Sequence, residues 1–203
     1  MQLLSSSSDF ALQPTVPRAQ PTAQAAAQVA EHDAAEVVIA TKLFVPNPRE
    51  APIARPRLQE QLHEVLDTLL TLVVAPAGWG KSTLIAHWLH QGNLTAGWVS
   101  LDRADDDIMR FWRYLVLAAG HAGGGVGAAA LHRLDGAGAD VERDVLPAFV
   151  NELAAVPGDV VVVLDDYHLV TNPVVHASIV ALLEHAPPQL HLVLGTRSDR
   201  RCR

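Results

Sequence analysis

Nine consecutive residues, Ala75-Pro76-Ala77-Gly78-Trp79-Gly80-Lys81-Ser82-Thr83, bring together two glycines, one ammonium group and two adjacent hydroxyls. That set suits a ligand with several closely spaced anionic oxygens. No single side chain satisfies such a ligand, so successive backbone N–H groups must turn towards it, and glycine lets the backbone come near. Lys81 adds charge, the Ser82 hydroxyl can join the shell of a hard cation, and a helix starting here presents its positive end. Farther along, Asp165 and Asp166 offer two carboxylates able to hold a divalent cation and to orient or deprotonate a water. Arg197 is a guanidinium suited to detecting a terminal phosphate.

These groups need rigid elements to hold them. The apolar, β-branched run 69–74 reads as a strand, and Leu84, Ile85, Trp88 and Leu89 after the loop have helical spacing. Strand, phosphate loop and helix follow in order. The pattern departs from Gly-x-x-x-x-Gly-Lys-Ser/Thr at its first residue, where Ala75 stands before Pro76, and alanine is the smallest replacement. A glycine-rich turn that binds nothing is the plain alternative; the strand before it and the helix after it weigh against that. Val160 to Leu164 is wholly apolar, as in the middle of a parallel sheet, and delivers Asp165 and Asp166 at its carboxyl end, where open α/β sheets bind ligands. Asp165 is the candidate for orienting Mg²⁺ with Ser82, and Asp166 for orienting the attacking water. Two more strands are expected, at 96–101 and 190–195, the second ending in Thr196-Arg197.

The remaining polar residues read as structure. In Asp105-Asp106-Asp107 an aspartate caps the helix that follows; three adjacent carboxylates cannot all face one ion. Phe111, Trp112 and Tyr114 are expected in the core, and His121 and His132 on the surface without metal partners. The Gly/Ala-rich stretch 120–139 reads as a flexible connection, followed by a helix over about 141–156. Leu58, Leu62, Val65, Leu66 and Leu69 share one side of a helix that leads into the phosphate-loop strand. Val45, Ile53 and Arg55, before that strand, are candidates for a nucleotide-base pocket; solvated charges beside a proline turn explain Arg55 equally well.

Composition bounds the setting. The 203 residues carry a formal charge of −7, which gives no global attraction to nucleic acid, and the one dense basic cluster is at 197–203. A single cysteine excludes an internal disulfide framework, and no apolar run is long enough to span a bilayer. A cytoplasmic protein is expected. Residues 1–40, rich in Ser, Gln, Pro and Ala, read as a disordered leader, and 41–203 as one domain.

Thr41-Lys42-Leu43, Arg55-Pro56-Arg57-Leu58, the loop 72–83, Trp98-Val99-Ser100-Leu101-Asp102, Arg110-Phe111-Trp112, Leu164-Asp165-Asp166-Tyr167-His168 and Thr196-Arg197 recur in one family order. Together they resemble the ATPase domain of the MalT-like regulators, the large ATP-binding members of the LuxR family within the STAND class of P-loop NTPases. The resemblance implies a three-layer αβα sandwich with a mainly parallel sheet, an adenine nucleotide held as ATP or ADP with Mg²⁺, and slow hydrolysis that resets a switch. It also implies self-association in the full-length relative. After Arg197 the family's further core strand, lid, sensor and DNA-binding domain do not follow, which implies an incomplete ATPase domain, no direct DNA contact by this segment, and an apolar sheet edge at 69–75. The rival readings are a stand-alone P-loop kinase, for which no acceptor site or arginine-rich lid is found, and a non-catalytic remnant.

Overall fold

The computed structural model describes residues 38–47 and 56–197. Most of the expected leader therefore lies outside the described residues, as do Ile53 and Arg55. Helix α1 (Pro56–His63) and a 3-10 turn (Glu64–Asp67) lead into β1 (Leu70–Val74). The phosphate-loop segment follows, then α2 (Lys81–Gln91), β2 (Ala96–Ser100) and α3 (Ile108–Ala122). Next come α4 (Ala128–Leu134), a π-helical turn (Val141–Val145) and α5 (Leu146–Ala154). The chain closes through β3 (Val160–Asp165), α6 (Pro173–His185) and β4 (Leu190–Thr196).

The four strands form one all-parallel sheet in the order β1-β4-β3-β2. Alternation along the strands divides the core into two layers. Val160, Val162 and Leu164 of β3 and Leu190, Leu192 and Leu194 of β4 face a large cluster that includes Trp112, Phe149, Leu153 and Leu182 from α3, α5 and α6. On the opposite face Val161, Val163, Val193 and Trp98 meet Leu62, Ile85 and Trp88 from α1 and α2. Helices thus cover both faces of a parallel sheet, a three-layer α/β fold. Phe111, Trp112 and Tyr114 are buried as expected, and Trp112 donates from Nε1 to Ser178 Oγ at 2.8 Å, so its polar atom is satisfied within the core.

One expected connection is a helix instead. Residues 128–134 form α4, and Ala130 and Leu134 are buried. Gly127 supplies no side-chain cap, but the Glu152 carboxylate of α5 accepts from the N–H groups of Ala129 and Ala130 at 3.1 and 3.3 Å. A negative charge at a helix start, brought from another helix, holds an alanine-rich turn that its own sequence leaves open.

The three aspartates diverge. Asp107 caps α3 by accepting from the Arg110 N–H, whereas Asp106 accepts from the backbone of Thr171 and Asn172 and so ties the start of α3 to that of α6. Asp105 is fully buried; it pairs with Lys42, accepts from Arg110 Nε at 3.1 Å and accepts from the Asp102 N–H at 2.7 Å. Lys42 also lies 3.2 Å from Asp102 and 4.5 Å from the centre of the Tyr114 ring. A buried carboxylate is tolerated here because charged or N–H partners meet both of its oxygens. The network fixes the segment 38–43 to the end of β2.

Candidate functional site

All four strands run the same way, so their carboxyl ends meet at one edge. Ala75 to Gly80 leave β1 there, Asp165 and Asp166 leave β3, and Arg197 follows β4. Gly78 and Gly80 both take a left-handed backbone with φ of 76°, while a Cβ on either would meet nothing within 4 Å. Their role is conformational rather than spatial. The Gly80 carbonyl accepts the first helical bond, from Leu84 at 2.9 Å, yet glycine has no side chain to cap α2. The N–H groups of Lys81, Ser82 and Thr83 are left at the start of α2 as donors for an anion.

Lys81 is nearly buried. Its ammonium donates to the Ala75 carbonyl at 3.1 Å and to that of Pro76 at 3.5 Å, so it lies folded along its own loop. Ala77, Gly78, Trp79 and Gly80 are exposed, and Ala75 and Pro76 half-buried. A groove of about 250 Å³ runs from Lys81 and Gly80 along β1 to Leu58 and Leu62 of α1. Val45 packs on the Leu62 cluster beneath α1.

Ser82 and Asp165, the two expected metal ligands, come together, near enough for the hydroxyl to favour the ionised carboxylate. Burial pushes the Asp165 carboxyl above the ordinary carboxylate range; the nearby Ser82 hydroxyl opposes this, and the neighbouring Asp166 charge reinforces it. Asp165 Oδ1 also accepts from the Asp166 N–H at 3.0 Å. Asp166 itself has φ of 58°, one of two non-glycine residues in the left-handed region among those described. That turn leaves its carboxylate partly exposed, with Oδ1 3.9 Å from Arg197 Nη2 and 3.8 Å from His168 Nδ1.

Among the described residues no cluster of three His, Cys, Asp or Glu side chains is arranged to hold a metal ion. A hydroxyl and one carboxylate are, however, a fitting partial shell for Mg²⁺, which keeps waters and ligand phosphates as its other donors. The site therefore unites Lys81, Ser82, Asp165, Asp166 and Arg197. Two neighbours had no role in the sequence reading. Gly195 sits beneath the Asp165 carboxylate, and His168 shares the surroundings of Asp166. The only sequence signal for either was proximity to an aspartate pair or a strand tip.

No family model matches the chain. It is 36% identical over 162 residues to the HTH-type transcriptional regulator MalT of Cronobacter sakazakii, and 34% identical over 168 residues to that of Yersinia pestis. Each match covers 80% of this chain and 18% of the relative, so the chain spans less than a fifth of the regulators it matches. No helix among the described residues is long and apolar enough to cross a membrane. Over four-fifths of its length, then, the chain is similar to one segment of the MalT regulators, carried here on a parallel α/β sheet.

Proposed function

We propose that this chain binds ATP or ADP with Mg²⁺ and serves in the cytoplasm as the nucleotide-controlled module of a transcriptional regulator. The observation that carries the reading is the convergence of the Lys81 loop, the neighbouring Ser82 and Asp165 side chains and the Asp166–Arg197 pair at one sheet edge. Loop N–H groups and Lys81 bind the phosphates, exchanging the Ala75 and Pro76 carbonyls for phosphate oxygens. Ser82 and Asp165 hold the ion, and the groove towards Leu58 and Leu62 takes the base. The nucleotide supplies the anionic oxygens and the bond to be hydrolysed. Asp166 is placed to orient a water, and hydrolysis by this segment is slow or absent. Arg197 reports whether the terminal phosphate is present. DNA contact and self-association belong to the regulator as a whole, in keeping with the transcriptional role that its relatives' names state.

The test is equilibrium binding of fluorescent ADP and ATP to the purified chain with Mg²⁺, beside Lys81→Ala. Saturable binding by the parent chain and a loss of at least about a hundredfold in the variant are expected, since Lys81 carries a charge-assisted contact in a partly buried site. A folded parent chain that binds neither nucleotide overturns the reading.

A further inference from the structure

His168 lies three residues beyond Asp165, in the 3-10 turn Tyr167–Leu169 that follows the left-handed Asp166. Both of its ring nitrogens are buried and neither has a hydrogen-bond partner among the described residues. A buried polar atom without a partner is costly, and native structures rarely keep one without a reason. The nearest candidate partner is already in place. Nδ1 stands 3.8 Å from Asp166 Oδ1, beyond hydrogen-bond length, and a movement of about 1 Å closes the gap. The same oxygen lies 3.9 Å from Arg197 Nη2. One carboxylate oxygen is thus shared between two donors and bonded to neither.

The surroundings favour a rearrangement. Arg197 is 46% exposed just past the end of β4, whereas His168 is held in the turn. Asp166 carries backbone strain, of the kind that collects at segments with two arrangements. Burial, then the Arg197 charge, lower the imidazole's affinity for a proton; Lys81 acts in the same direction, and Asp166 and Asp165 oppose it. The ring therefore lies within the electrostatic reach of every charged group of the site. A neutral imidazole has one N–H to give and no need of a counter-ion.

We infer that His168 takes over Asp166 when a terminal phosphate draws Arg197 away, which makes His168 a positioning residue for triphosphate recognition. The inference rests on the nucleotide reading above. Arg197 cannot serve both the phosphate and Asp166. When it leaves, the His168 Nδ1–H completes the short hydrogen bond, so the carboxylate is not left unpaired beside an incoming anion. A diphosphate makes no such demand on Arg197, and His168 then stays as it is. His168 consequently contributes to the preference for triphosphate over diphosphate and not to nucleotide affinity in general.

The experiment compares the full chain with His168→Phe and His168→Asn by equilibrium binding of fluorescent ADP and of a fluorescent, non-hydrolysable ATP analogue, both with Mg²⁺. Phenylalanine keeps the ring and removes the donor; the asparagine amide places an N–H near the position of Nδ1. Loss of one hydrogen bond to a charged group predicts about a tenfold fall in analogue affinity for His168→Phe. ADP affinity should stay within about twofold, and His168→Asn should recover most of the loss. In the parent chain, ¹⁵N resonances of the His168 ring should shift with the analogue and not with ADP, a readout that does not depend on any variant folding. An equal fall for both nucleotides in His168→Phe, an unchanged ratio, or a ring resonance indifferent to the analogue each overturns the inference while the parent chain still binds nucleotide. Failure of the folded parent chain to bind either nucleotide overturns the underlying reading, and the inference with it.

Discussion

Gly195 lies so close to Asp165 that a Cβ on it would stand 2.6 Å from Asp165 Oδ1. The strand that leads to Arg197 thus leaves a gap one methyl group wide, and the carboxylate beside Ser82 occupies it. Gly195→Ala forces the carboxylate or the strand to move. We expect a stability loss of about 1–3 kcal/mol, typical of overpacking, in urea unfolding. Mg²⁺-dependent nucleotide binding should weaken by about tenfold, in line with the loss of one metal-ligand position. Unchanged Mg²⁺ dependence in a folded Gly195→Ala chain would show that the gap does not set the carboxylate's place.

Asp165 is held at a cost to the fold. Because burial raises its folded pKa above the ordinary 3.8, the folded chain holds this proton more tightly than the unfolded chain. Its contribution to stability is fully present below the unfolded value and is lost as pH rises through the folded one. At neutral pH the ionised carboxylate therefore weakens the ligand-free fold. Asp165→Asn should raise the melting temperature of the ligand-free chain near neutrality, by the equivalent of about 1 kcal/mol, and the advantage should vanish as pH falls below 3.8. The same variant should lose any Mg²⁺-dependent increment in melting temperature. A lower melting temperature for Asp165→Asn at neutral pH would contradict this account.

Buried charge works in the opposite direction at Asp105. Its carboxylate has partners on both oxygens, and removing it leaves Lys42, itself nearly buried, without its main counter-ion. Asp105→Ala should cost about 3–5 kcal/mol in urea unfolding, the range for breaking one partner from a buried pair. Pairing it with Lys42→Met should restore part of that loss, because the second change removes the stranded charge. A cost below about 1 kcal/mol for Asp105→Ala would mean that the network adds little.

Local pattern was enough wherever chemistry and periodicity coincide within a few residues. The Ala75–Thr83 run, the apolar strand before Asp165 and the capping of α3 were all legible because each depends on spacing along one segment. Other features needed contacts that no single segment encodes. Lys42 and Asp105 are 63 residues apart, and neither sequence nor charge run indicates that they pair. Helix α4 depends on a carboxylate from α5, so a Gly/Ala stretch read alone gave a loop. Gly195 matters through its approach to the neighbouring strand, and His168 through the left-handed turn at Asp166.

β1 is an edge strand among the described residues, as the resemblance implied, and its exposure is one-sided. Leu70, Leu72 and Val74 are 37%, 57% and 51% exposed, whereas Thr71 and Val73 are half-buried and Val73 packs on the cluster formed with α1 and α2. Through its register, Leu72 lies on the same face as Leu194 of β4, the face that α3, α5 and α6 cover farther across the sheet. That helical layer stops short of β1. A parallel strand is ordinarily buried on both faces; here one face is bare, and β4 is the sole strand paired with it among those described. Bare backbone groups and three large apolar side chains together make a template for another chain. Concentration-dependent association is therefore expected of the purified chain in light scattering or sedimentation. Leu72→Lys puts a charge in the middle of the edge, where repulsion between paired copies is greatest. It should raise several-fold the concentration at which the chain stays monodisperse, at a stability cost below about 1 kcal/mol because Leu72 gives up little burial. If the parent chain is as monodisperse as Leu72→Lys at the same concentration, the edge is not a site of self-association.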